Sequence, residues 1–133
     1  MSTPAPASAS QKTAAQQSDI TQVLLKCESN DMAVTQAFCT KLTRALMDQG
    51  LVVAPYAGQA PLSLSANQVI VETVDLRRTN LGLSLNLAWT YGATGQSAQS
   101  ERFGLRVMDA PLSVEMYDRF IDGFVQPDVL PFL

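Results

Sequence analysis

Two cysteines, Cys27 and Cys39, and 12 acidic side chains are the groups in this sequence with the widest chemical reach, and there is no histidine. Without histidine, Ser-His and Cys-His nucleophile pairs are excluded, as are the usual zinc and non-haem iron ligand sets. Carboxylates alone can still do acid–base work or bind Ca²⁺. Glu115, Asp118 and Asp122 fall at i, i+3 and i+7, one face of a helix. Charged residues on an amphipathic helix normally face water, so this cluster reads as a solvated surface. No EF-hand loop, phosphate loop or dinucleotide fingerprint is present, and Gly92 and Gly95 are spaced as turn glycines. The expectation is a chain with no catalytic residue, no cofactor and no metal site.

The cysteines bear on compartment, because a disulfide implies an oxidising one. Both are expected to point at the core, Cys27 from the end of a strand and Cys39 beside the apolar stripe of the following helix. If that helix starts near Asp31 and packs back along its strand, Cys39 lies ~12 Å from the start along the axis. Bridging requires Cα atoms within ~7 Å. Two buried free thiols are therefore expected, with a disulfide as the first alternative and a reactive or lipidated cysteine as the second.

The elements that place these groups follow from periodicity. Residues 1–18 are almost wholly Ala, Ser, Gln, Pro and Thr, with Lys12 their only charge, and read as a flexible leader to a single domain over 19–133. Val23, Leu25 and Cys27 alternate as a strand does. Ser29-Asn30-Asp31 supplies N-cap candidates for a helix carrying Val34, Phe38, Leu42, Ala45 and Leu46, and Gly50 ends it. Leu51–Tyr56 is a short strand in which Pro55, near its end, suggests an edge position or an early exit from the sheet, and residues 57–61 form a loop. Val69–Leu76 is a strand largely covered on both sides or central in its sheet, followed by a turn at Arg77-Arg78-Thr79-Asn80. Leu81, Leu83, Leu85, Leu87, Trp89 and Tyr91 then alternate with small and polar residues, which puts all six on one strand face. A loop over 92–96 leads to a return strand with Phe103, Leu105 and Val107. Ser113 can cap a last helix with the stripe Val114, Tyr117, Phe120, Ile121 and Phe124, and the apolar end Val129–Leu133 is expected to close the core beside it, an exposed peptide-like anchor being the alternative. The order β-α-β-β-β-β-α predicts an α+β domain of two layers, a mostly antiparallel sheet of four to five strands with both helices on one face.

That arrangement leaves the other sheet face open, with Gly82, Ser84, Asn86, Ala88 and Thr90 beside Arg102, Gly104, Arg106 and Met108. Small side chains allow close approach, and two arginines four apart on a strand share a face and can hold carboxylates in bidentate geometry. Ser84, Asn86, Thr90, Arg102 and Arg106 are the candidate partner-binding residues.

Charge narrows the partners. The chain has 9 basic and 12 acidic groups, a net charge of −3, and no basic run longer than Arg77-Arg78. Nucleic acid is not expected, since phosphate neutralisation needs more basic surface. No apolar stretch reaches the ~18–20 residues that span a bilayer. The element order and the leader together resemble small envelope-assembly lipoproteins of Gram-negative bacteria, of the lipopolysaccharide-assembly and ABC-transport auxiliary type. The resemblance covers residues 20 to 126, is one of pattern, and transfers no individual residue. It implies a periplasmic or outer-membrane-associated, non-enzymatic protein that binds protein partners in an assembly or transport complex. Residues 1–18 contain no cysteine, so a lipid tether would have to come from a segment upstream of Met1. A virion or cytoplasmic assembly component is the alternative reading, and an enzyme using carboxylates alone is the third.

Overall fold

The computed structural model describes residues 20–56, 64–79, 81–107 and 112–133. The leader, the 57–61 loop and Met108 lie outside them. In chain order the elements are β1 (Gln22–Lys26), α1 (Met32–Asp48), β2 (Val52–Pro55), β3 (Gln68–Thr79), β4 (Gly82–Tyr91), β5 (Ser97–Gln99), β6 (Phe103–Arg106) and α2 (Glu115–Phe124). The α+β class, the element order and the two helices on one sheet face are as expected, the return strand being split into β5 and β6.

The sheet order is β2-β1-β3-β4-β5, with β6 also paired to β4. Contacts of β3, β5 and β6 with β4 are antiparallel. The sheet is nevertheless mixed, because β1 runs parallel to both β2 and β3. The connection from β1 through α1 to β2 is the helical crossover that a parallel neighbour needs. β2 is an edge strand, as Pro55 requires.

Local chemistry explains α1. Asp31 Oδ1 accepts hydrogen bonds from the backbone N–H of Ala33 (2.9 Å) and Val34 (3.4 Å), satisfying two of the orphan donors at a helix start. Gly50, at φ +90°, takes the left-handed conformation after the helix. Val34, Phe38, Leu42 and Leu46 are buried against the sheet, where they meet Val23, Leu25, Val69, Val71, Leu83, Leu85, Leu87 and Trp89. From α2 come Tyr117, Ile121 and Phe124. Phe38 packs edge-on to Tyr117 at 6.1 Å, and Phe124 stacks on Phe103 at 4.7 Å. Leu130 and Phe132 are fully buried, Phe132 lying 5.6 Å from the Trp89 ring. The apolar C-terminal residues thus close the core.

Five expectations need correction. Cys27 and Cys39 form a disulfide, with Cα atoms 5.8 Å apart. The chain stays extended past Cys27, where Ser29 bridges Leu76 in parallel, so α1 starts well beyond the cysteine. Four extended residues carry it ~13 Å beyond Cys27, and eight helical residues bring it ~12 Å back. Arg77, Arg78 and Thr79 belong to β3 rather than a turn, because β3 bulges between Val74 and Arg77 and then continues its pairing. Leu81 precedes β4 and is 59% exposed, so the buried alternation starts at Leu83. Ser113 provides no side-chain cap to α2, and Val114, the N-cap residue, is exposed rather than part of the stripe. Asp118 is not merely solvated: Lys41 Nζ donates to both its carboxylate oxygens at 2.9 Å, tying α2 to α1.

Candidate functional site: the open face of the sheet

The register places Gly82, Ser84, Asn86, Ala88 and Thr90 together on the face away from the helices, since their neighbours Leu83, Leu85, Leu87 and Trp89 are buried. Across β3 the same face carries Ile70, Glu72, Val74, Arg77 and Thr79. β6 adds Gly104, opposite Ser84, and Arg106, opposite Gly82. Thr90 shares a hydroxyl–hydroxyl hydrogen bond with Ser97 of β5 at 2.8 Å, at the far end of the face from Arg106.

Arg102 stands just before β6 and its guanidinium is committed within the protein. Its Nη1 donates to Asn86 Oδ1 at 2.9 Å, and its Nη2 donates to Ser84 Oγ at 2.8 Å and to the Asp75 carbonyl at 3.0 Å. It also lies 3.2 Å from Asp75 Oδ2. Asn86 in turn donates from Nδ2 to the Ser100 carbonyl at 2.9 Å, and Ser100 Oγ accepts from the Leu87 N–H at 2.9 Å. The structure therefore brings Ser84, Asn86 and Arg102 into one network and leaves Thr90 and Arg106 at its two ends. The network ties β3, β4 and the β5–β6 break together.

Asp75 and Arg77 are the residues that sequence reasoning missed. Asp75 adopts φ +55°, a left-handed conformation that aspartate tolerates better than most side chains. This is the β3 bulge, and it turns the carboxylate toward Arg102 on one side and Arg77 Nε on the other. A signal did exist. Val69 and Val71 are buried at odd positions but Leu76 at an even one, so the inward phase slips between them. That slip also puts Arg77 on the open face opposite Ser84.

Beside this network lies a shallow hollow of about 420 Å³, lined by Arg77, Thr79, Gly82, Ser84, Gly104 and Arg106, with Leu81 and Leu105 at its side. A second hollow, of about 690 Å³, runs between α1 and α2 with Ala33, Ala37, Ala45 and Ile121 as its apolar lining and Arg44, Asp48 and Asp122 among its charged groups. The Lys41–Asp118 pair sits in it. Among the described residues no group of three or more His, Cys, Asp and Glu side chains is placed to hold a metal ion, and no helix is long and apolar enough to cross a membrane.

Comparison with known proteins adds little to this geometry. No family model matches the chain, and no curated protein matches it. Among solved structures, the lipoprotein GNA1162 from Neisseria meningitidis aligns over 79% of this chain and 95% of its own, at 12% identity and a TM-score of 0.39.

Proposed function

We propose that the chain is a non-catalytic protein–protein interaction component of a cell-envelope assembly or transport complex, working in the periplasm or at the outer membrane. The disulfide between Cys27 and Cys39 carries this reading. Structural disulfides persist in oxidising compartments, the bacterial periplasm among them, and are rare in the cytosol. The open face supplies the docking surface: Ser84, Asn86 and Arg102 hold it in a fixed shape, while Thr90 and Arg106 present groups at its ends. A flat antiparallel face with small side chains admits a partner's backbone closely, which suits recognition rather than enclosure of a small substrate.

The test is made in native cells. Membrane-permeant maleimide is added before lysis, and a photo-crosslinking amino acid at Thr90 reports contacts of the face. Neither cysteine should be alkylated, the intact mass should lie 2 Da below that of the reduced chain, and the crosslinked product should fractionate with the envelope. Alkylation of both cysteines together with a cytosolic product would defeat the proposal and favour a cytoplasmic assembly role.

A further inference from the structure

We infer that the hollow between Arg77 and Arg106 receives an extended acidic segment of the partner protein, which rests on the open-face reading above and specifies its chemistry. Among the described residues, no acidic side chain lines this hollow. Arg77 and Arg102 share one carboxylate, that of Asp75. Arg102 turns its terminal nitrogens inward, to Asn86, Ser84 and the Asp75 carbonyl. Arg77 uses its Nε on Asp75, and its side chain stays 65% exposed. Arg106 projects from the opposite wall. In a chain of net charge −3 this is a local positive site.

Geometry selects the shape of the occupant. Arg77 and Arg106 flank β4 from β3 and β6, so their Cα atoms are roughly 10 Å apart across the strands, with a stagger of two residues, or ~7 Å, along them. Carboxylates at alternate positions of an extended segment are also ~7 Å apart and lie on one side of it. Two long arginines can therefore lean in and engage such a pair in bidentate hydrogen bonds. The floor permits backbone contact. A Cβ on Gly104 would meet nothing within 4 Å, and of the β4 residues lining the hollow Gly82 and Ser84 are the ones on the open face, Leu83 being buried on the other. Exposed Leu81 gives an apolar side chain of the segment a place to rest. A phosphate-rich ligand fits less well, because lipid and nucleic-acid surfaces are bound by clusters of several basic groups and, among the described residues, this hollow holds Arg77 and Arg106. Glu28 shares a neighbouring hollow with Arg77, so Arg106 should be the stronger anchor.

The experiment uses the full oxidised chain and a short fluorescein-labelled peptide alternating Asp and Val, with an Asn-for-Asp peptide as control. Anisotropy at low salt should show binding of the Asp peptide only. Arg106→Gln should weaken it about tenfold, Arg77→Gln by less, and Arg106→Lys should restore part of the loss, since charge returns without the planar fork. Thermal midpoints confirm that the variants are folded. Equal binding of the Asn peptide, indifference to Arg106→Gln, or displacement of the Asp peptide by anionic phosphatidylglycerol vesicles would each overturn the inference. The crosslink at Thr90 separates the two readings. A crosslinked envelope partner without Asp-peptide binding refutes the acidic segment alone, whereas loss of both refutes the open face as well.

Discussion

Two glycines on the open face look alike in the sequence and differ in what surrounds them. A Cβ added to Gly82 would sit 2.2 Å from the Leu105 carbonyl oxygen, whereas one added to Gly104 meets nothing within 4 Å. Neither has a positive φ, so backbone freedom is not the issue. Gly82→Ala must push β6 away from β4 at the Gly82–Arg106 pairing; it should cost about 1–3 kcal/mol, as overpacking does. Gly104→Ala should stay within about 0.5 kcal/mol of the parent, as exposed substitutions do. Urea midpoints of the two variants make the comparison, and equal midpoints would show that β6 is free to shift. Arg102 illustrates the same dependence on surroundings. Its type and its place four residues before Arg106 suggested a partner contact, but its hydrogen bonds reach a bulge 27 residues earlier in the chain. Nothing local in the sequence announces that bond.

At the scale of elements, legibility followed periodicity. The alternation from Leu83 to Trp89 and the stripe of α1 are strong repeats, and both are buried as expected. What escaped was set by breaks in period: the bulge that keeps Arg77 in β3, and the overshoot of β1 that aligns Cys27 with Cys39. Within the mostly antiparallel sheet, that β1 runs parallel to both its neighbours depends on the connections rather than on its own residues. The disulfide joins the residue after β1 to α1 across a separation of 12 residues. Closing a loop of that size stabilises the fold by about 3 kcal/mol through the entropy of the unfolded chain. The Cys27→Ala, Cys39→Ala double variant should therefore lose roughly 2–4 kcal/mol in urea unfolding, and the parent protein should lose a similar amount under reducing conditions. If the double variant matches the oxidised parent, the bridge does not constrain the unfolded chain, and its value as a sign of an oxidising compartment falls with it.

For the molecule as a whole, one sheet face is sealed and the other is left open, and the last residues decide how well the seal holds. Phe132 and Leu130 are fully buried beneath the helical layer, and Trp89, the sole tryptophan, packs on Phe132. Trp89 points away from the open face, as its buried neighbours on β4 do. Its fluorescence therefore reports on the core and is separate from partner contacts at Ser84, Asn86 or Arg106. Phe132→Ala leaves a cavity against the indole and should cost about 3–5 kcal/mol, as buried phenylalanine truncations do. Trp89 emission should shift to the red as water reaches it, while an exposed-face change such as Arg106→Gln leaves both the emission and the midpoint nearly unchanged. A Phe132→Ala variant with native emission and a midpoint loss below about 1 kcal/mol would mean that the C-terminal residues lie over the core without sealing it. The two-sided reading of the sheet would then lose its footing, because an open face is informative only when the opposite one is closed.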